Sequence, residues 1–264
     1  MKKFLIVLLC VVALGGCCRE CPIKPTTTTS RGIVQISTIG ALMEGLYDGQ
    51  ISCRELLTYG NLGIGTFAGL DGEMVVLDGT VFQIKADGKV YRPHPETKTP
   101  FAVVAFWNDP KEIFLEKGMN LDAVMQKIDA LLQDKNIFYA VKLRGVFSKM
   151  KTRSVPAQIK PYPPLAEVVK NQPIFDFENI SGVVVGFRTP EYMKTITVPG
   201  WHLHFLSDDR ASGGHILDFE IEEGAVQIDE IRQFSMILPS QGEEFSKVNL
   251  EKERSDELRK IEGK

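Results

Sequence analysis

The sequence predicts an α+β fold dominated by strands, with mixed or barrel-like sheets arranged as two closely packed subdomains. Three observations predict it. Asp71-Gly72, Asp78-Gly79 and Asp87-Gly88 separate short apolar runs, and Asp-Gly between such runs is the residue pair that tight hairpin turns favour. Only one segment carries a clear helical period. In the C-terminal half, apolar and polar residues alternate, as they do on a strand with one buried face. An apolar fraction of 44% and a charged fraction of 25% are ordinary for a globular protein. The net charge of −3, with no basic run interleaved with aromatics, argues against a nucleic-acid partner.

The first element is not part of the body. Met1-Lys2-Lys3 is a basic start, Phe4 to Leu14 is unbroken apolar sequence, and Leu14-Gly15-Gly16 precede Cys17. Residues 1–16 read as a secretory signal, too short for a membrane span of roughly twenty residues. Small residues directly before a cysteine also match the bacterial lipobox, so Cys17 is the expected lipidation site. That predicts an exported, membrane-anchored lipoprotein on the periplasmic or cell-surface side; ordinary cleavage near Gly16, leaving Cys17 free, is the alternative. Residues 17–31, rich in proline and threonine, form the tether. Cys10 lies in the signal, and Cys17, Cys18 and Cys21 crowd the cleavage point, so Cys53 alone falls in the body. No internal disulfide framework is expected, and Cys53 reads as a small core residue.

The N-terminal subdomain is expected over residues 32–160. Val34 to Ile39 reads as a strand, Ala41 to Tyr47 and Cys53 to Thr58 as short helices. Glu73 to Leu77, Thr80 to Ala86 and Val90-Tyr91 then form a β-meander, followed by a strand at Phe101 to Trp107. Leu121, Val124, Met125, Ile128, Leu131 and Leu132 recur at helical spacing behind Asn120 as N-cap. Ile137 to Phe147 is a further strand. Pro156, Pro161, Pro163 and Pro164 mark a soft boundary to a metal-binding subdomain over residues 161–264, which begins with a strand at Val183 to Phe187.

There Trp201-His202-Leu203-His204-Phe205 is answered by His215, so three of the four histidines fall in one short segment. On a strand His202 and His204 leave the same face, and the polar, glycine-ended loop from Leu206 to Gly214 would return His215 beside them. His215, Leu217, Phe219 and Ile221 are expected on one face, with Asp218, Glu220 and Glu222 on the other, which turns His215 inward with the apolar set. Three imidazoles converging with coordination positions left open suit a catalytic Zn²⁺, and other divalent transition metals as well. A lone buried histidine is more often a hydrogen-bonded core residue; three in fourteen positions, two of them alternating, favour metal. Asp208 and Asp209 read as a solvated turn and His94 as a loop residue. Phe234 to Leu238 is the last strand, and the charged tail from Gln241 to Lys264 is expected to be helical.

These residues also carry a likeness. Trp201 to Phe205, the Asp208 to His215 loop with Gly213-Gly214-His215, Lys151-Thr152-Arg153-Ser154-Val155-Pro156, and Thr66-Phe67 leading to Leu70-Asp71-Gly72-Glu73 resemble the bacterial acetolactate decarboxylase family, from about Ile33 to the C-terminus. The resemblance implies a Zn²⁺ enzyme that converts 2-acetolactate to acetoin and CO₂, with a two-domain β-rich fold and a homodimer. It implies His202, His204 and His215 as zinc ligands, Glu73 as the proton-handling glutamate and Arg153 as the substrate-binding arginine, with Thr66 beside the substrate. It also implies a C-terminal glutamate at the metal, assigned to Glu262 with Glu257 as second choice. Taken without the resemblance, Glu73 is an exposed strand residue, Arg153 part of a solvated basic strand and Thr66 structural. Two other readings remain at this point: a cupin-like metalloenzyme, which also places H-x-H on a strand, and a surface lipoprotein that captures metal without turnover.

Overall fold

The computed structural model describes residues 32–108, 110–239 and 243–263. The signal, the tether and Cys17 lie outside the described residues. In chain order the strands and helices are β1 (Ile33–Ile36), α1 (Ile39–Met43), β2 (Ile51–Ser52), α2 (Cys53–Leu56), β3 (Leu62–Thr66), β4 (Glu73–Leu77), β5 (Thr80–Ile84), β6 (Val90–Tyr91), β7 (Lys98–Thr99), β8 (Ala102–Ala105) and β9 (Lys111–Phe114). They continue with α3 (Leu121–Leu131), β10 (Phe138–Arg153), α4 (Leu165–Val168), β11 (Ile174–Thr189), β12 (Gly200–Ser207), β13 (Gly213–Ile231), β14 (Phe234–Ile237), α5 (Glu243–Lys247) and α6 (Ser255–Ile261).

All three Asp-Gly pairs lie between paired strands. Asp78 and Gly79 both adopt positive φ, at 50° and 74°, and join β4 to β5 with Leu77 opposite Thr80. That is the geometry in which a two-residue turn matches the twist of its strands. The meander β3-β4-β5-β6 forms one side of a seven-stranded sheet in the order β14-β1-β8-β3-β4-β5-β6. This sheet is mixed, since β14 runs parallel to β1 while β8 pairs with β1 antiparallel. β2 and β7 make a separate two-stranded pair.

The long strands close on themselves. β10 pairs with β11, β11 with β12, β12 with β13, and β13 returns to β10, with β9 on the outer edge of β13. Phe147, Phe205 and Phe219 fill this ring, Phe147 meeting the other two edge-on at centroid distances of 5.5 and 5.4 Å. Val124 and Ile128 of α3 pack onto the same cluster. Asn120 caps α3 by accepting a hydrogen bond from the Ala123 amide, as its sequence position predicts. The other face of the ring packs on the seven-stranded sheet: Val183, Val185, Phe187 and Leu206 meet Ile64, Val75 and Val103 in a second core. Cys53 is buried in a third, with Met74, Val76 and Val104 on the far side of the sheet.

Several boundaries differ from expectation. The first strand ends at Ile36 rather than Ile39, because Ser37 takes positive φ and Thr38 accepts a hydrogen bond from the Ala41 amide, which starts α1 two residues earlier than Ala41. β10 does not stop at Phe147 but runs on to Arg153 through Ser148–Lys151, where Met150 alone is apolar and is buried in the ring. It can do so because β11 and β13 flank it on both sides and pair its backbone wherever the side chains face. β11 likewise begins at Ile174. The tail is two short helices rather than one. The two sheets also do not divide the chain at residue 160: β9, α3 and β10 go with the ring, and β14 returns to the seven-stranded sheet.

The orientation of His215 needs a larger correction. It does not share a face with Phe219 and Ile221. Across from β13, Lys151 faces Asp218 but Thr152 faces Ile216, so Leu217 is the extra residue of a β-bulge. The bulge reverses the alternation. Ile216, Phe219 and Ile221 enter the ring, and His215 turns to the opposite face, toward the seven-stranded sheet.

Candidate metal centre and active site

The seam between ring and sheet collects the polar residues. On β4, Glu73 shares a face with Val75; on β3, Thr66 shares one with Ile64; on β12, His202 and His204 share one with Leu206. Each of those apolar neighbours belongs to the intersheet core, so strand alternation alone sends all four polar side chains into the same seam. Arg153 and His215 arrive there as a directly opposed pair on β10 and β13, and His215 is in turn opposite His204 on β12. At this point β13 is held between two neighbours. A Cβ on Gly214, at φ +136°, would lie 2.4 Å from the Arg153 carbonyl oxygen, so only glycine fits.

The three imidazoles stand in a triangle with centroid separations of 5.1, 5.1 and 5.3 Å, and one ligand nitrogen from each lies within 4.8 Å of the others. His204 is 1% exposed. Its Nδ1 is 2.9 Å from the Met74 carbonyl oxygen, which places the proton on Nδ1 and leaves the Nε2 lone pair facing the cluster. Burial, reinforced by the neighbouring His202, pushes its pKa down to about 3, so the ring is neutral. Glu262 brings Oε2 to 3.7 Å from Nε2 of both His202 and His215, and Glu73 brings Oε2 to 3.6 Å from Nε2 of His204. His204 Nε2 and Glu262 Oε2 are buried with no hydrogen-bond partner. Inward-facing acceptors left unpaired in this way are costly, and a divalent cation among them would satisfy both. Three imidazoles and a carboxylate are a donor set that zinc accepts, as do other transition metals. The residues fit a metal.

Around this cluster the electrostatics are uneven. Burial pushes the Glu73 carboxyl up to about 7; the Arg153 charge pulls against that shift and Glu262 adds to it. Arg153 is 4% exposed, so the solvated basic strand is not what forms; its neighbour Lys151 faces outward instead, near Asp176 at 3.8 Å. Arg153 Nη1 donates to Gln172 Oε1 at 2.6 Å, and its Nε is buried without a partner. Thr66 donates its hydroxyl hydrogen to the Gly72 carbonyl oxygen at 2.7 Å, which ties β3 to the turn preceding Glu73. These groups line a cavity of about 50 Å³ whose apolar wall includes Ile39, Leu42, Leu165 and Ile261. A wider cavity of about 720 Å³, lined by Trp201, Leu217 and Arg259 among others, shares His215 and Glu262 with it.

Glu73, Thr66, Arg153, His202, His204, His215 and Glu262 are thus brought together. Glu257 is not: it lines neither cavity and lies 3.7 Å from Arg254, with a half-exposed side chain. Asp209 closes its own turn by accepting from Ser207 Oγ and the Ala211 amide. His94 sits in an exposed loop, accepting from the Glu96 amide. Gln172 and the Met74 carbonyl were absent from the sequence reading. Neither lies in a pattern that points to the site; the first follows a 3₁₀ turn and the second is a backbone atom, so only folding brings them in.

The chain matches the family model for alpha-acetolactate decarboxylase over residues 33–252. It is 47% identical to the alpha-acetolactate decarboxylase of Methanosarcina mazei over 230 residues, 87% of this chain and 80% of that protein. Against the Bacillus licheniformis protein of the same name it is 40% identical over 218 residues, 83% of this chain and 86% of the other. The crystal structure of alpha-acetolactate decarboxylase from Bacillus subtilis superposes with a TM-score of 0.86 at 36% identity, covering 88% of this chain and all of that one.

Proposed function

The chain belongs to the alpha-acetolactate decarboxylase family, a carboxy-lyase acting on a small molecule, and from that premise we propose that it converts 2-acetolactate to acetoin and CO₂ through an enediolate in a metal-dependent site. The observation that carries the site assignment is the buried seam in which Glu73, Glu262 and three histidines converge beside Arg153. His202, His204, His215 and Glu262 are the residues that would hold the cation, Zn²⁺ in this reading. When bound, the cation supplies Lewis-acid stabilisation for negative charge developing on substrate oxygens.

The remaining work falls to the chain itself. In 2-acetolactate the carbon that carries the carboxylate also carries a hydroxyl and adjoins a ketone. Loss of CO₂ breaks one carbon–carbon bond and leaves its electron pair to spread into that ketone. Arg153, with its unpartnered Nε turned into the seam and Nη1 braced by Gln172, is placed to grip the carboxylate by charge-assisted hydrogen bonds and align the breaking bond. Glu73, whose carboxyl is pushed up by burial, is placed to hold a proton and deliver it to the carbon that CO₂ has left. Delivery from one fixed carboxyl would set the handedness of the product. The apolar wall from Ile39, Leu42 and Ile261 keeps water from protonating that carbon from the other side.

Incubating residues 22–264 with Zn²⁺ and racemic 2-acetolactate tests the reading. Acetoin above a no-enzyme blank, abolished by a chelator and by His204→Ala, is the expected result. No acetoin from folded, zinc-loaded protein would make metal capture the leading function. The cupin-like oxygenase finds no support in the family. We further propose that the protein is exported, anchored through lipidated Cys17, and acts as a homodimer on acetolactate that has left the cytoplasm. Fractionation that recovers the active protein only from the cytosol would overturn the first part, and a monomeric mass by light scattering the last.

A further inference from the structure

α6 has only seven residues, too few to hold helical shape alone, yet it carries the carboxylate nearest two of the histidines. Its docking contacts therefore decide where Glu262 stands. Near its end, Leu258 and Ile261 are buried in the intersheet core at 2% and 4% exposure, and Glu262 follows with its amide donating to the Leu258 carbonyl oxygen. At its start, Arg254 has a side chain only 14% exposed and is ion-paired with Glu44, the C-cap residue of α1. Lys194 and Glu253 also meet, at 2.8 Å, but both are open to solvent, where such pairs contribute little. α1 is itself a wall of the inner cavity through Ile39 and Leu42. One partly buried ion pair thus couples the helix that walls the cavity to the helix that brings Glu262.

We propose that Arg254 and Glu44 are positioning residues for the reaction: their pair sets the rotation and seating of α6, and so keeps the Glu262 carboxylate against His202 and His215. Neither residue lines the inner cavity. Two apolar side chains on one turn hold α6 against the core but leave it free to roll; a charged contact at the opposite end removes that freedom. Because His215 and Glu262 form the common wall of the two cavities, a loosened α6 would also open the inner one to the outer. The inference rests on reading Glu262 as a site carboxylate.

The test uses residues 22–264 and compares Glu44→Arg, Arg254→Glu, the double exchange, Arg254→Lys and Glu262→Ala. Zn²⁺ affinity is read by chelator competition, kcat and KM with 2-acetolactate, and folding by thermal unfolding. Each charge reversal should weaken Zn²⁺ binding by about tenfold, the factor by which the docked fraction falls, and lower kcat more than it changes KM. The double exchange should recover most of both, and Arg254→Lys should stay near the parent protein. Single reversals that match the parent while Glu262→Ala is impaired would overturn the proposal and leave the site reading intact. Reversals that are impaired but not rescued by the exchange, or that unfold the whole protein, would overturn it as well. Glu262→Ala behaving like the parent would remove the reading beneath it and the proposal together.

Discussion

His204 and Glu262 reach the same seam by opposite routes. His204 lies on an eight-residue strand paired with β11 on one side and β13 on the other, its ring further fixed by the Met74 carbonyl. Glu262 lies just past a seven-residue helix at the end of a charged tail, held by two apolar side chains and an ion pair. In the first case backbone ladders dictate where the side chain points, and each hydrogen bond repeats the instruction. In the second, among the described residues, a few side-chain contacts seat the short helix that ends at the carboxylate. A ladder makes the donors rigid and readable from alternation. A docked helix gives the fourth group adjustability and hides it among the other charged residues of the tail.

Removing a ladder-held donor should cost metal and activity together. His204→Ala is expected to lower kcat/KM by more than about a hundredfold, the scale on which a central electrostatic group acts, with a matching fall in bound Zn²⁺ by elemental analysis. Activity and zinc content equal to the parent would remove the histidine triangle from the mechanism. Glu73→Gln separates chemistry from binding. It should cost roughly 10² to 10⁴ in kcat, the span of a lost general acid, while zinc content stays unchanged.

Glu73 also gives a pH signature in chelated protein. Its carboxyl stands near 7 in the fold against an ordinary value of 4.5, so between these pH values the folded chain holds more protons than the unfolded one. Stability contributed by this group therefore falls as pH rises through that window. Glu73→Gln should flatten the fall in a series of thermal melts, and an unchanged slope would assign the effect elsewhere.

Arg153→Lys keeps the charge but loses the fork that Gln172 braces. A loss of about tenfold in kcat/KM is expected, smaller than for either group above. The gentlest test leaves the chain untouched. Amide exchange should be faster in α6 than in β10 or β13, since local opening follows the number of buried contacts. Equal protection would mean that the tail is held as firmly as the ladders, and the contrast would fail.

The reading from sequence was uneven in the same way. The Asp-Gly turns of the meander, the capped helix α3 and the His202–His204 pair were all legible, because each depends on neighbours within a few positions. The extent of β10 was not, because Ser148, Lys149 and Lys151 look like surface sequence, and they are held in the strand by two partners and by Met150 buried in the ring. His215 was located but its face was misread; strict alternation assumes no bulge, and the extra residue at Leu217 is set by how β13 fits against β10. Arg153 and Glu73 look solvated in isolation, and burial at 4% and 8% exposure comes from the second sheet that covers them. Gln172 carried no signal at all.

By itself, then, the chain's order of residues determined what local rules can determine: the turns, the caps, the alternating faces, and the identity of the donors that the likeness to decarboxylases singled out. Tertiary structure alone decided that the seam between a closed ring and an open sheet is where those donors meet. It turned His215 by one bulge, raised the Glu73 pKa by burying it, and brought a residue from the end of the chain onto a hairpin some fifty positions earlier. Periodicity along a chain carries the direction of a side chain, but burial and convergence are properties of surfaces pressed together, and no single segment contains them.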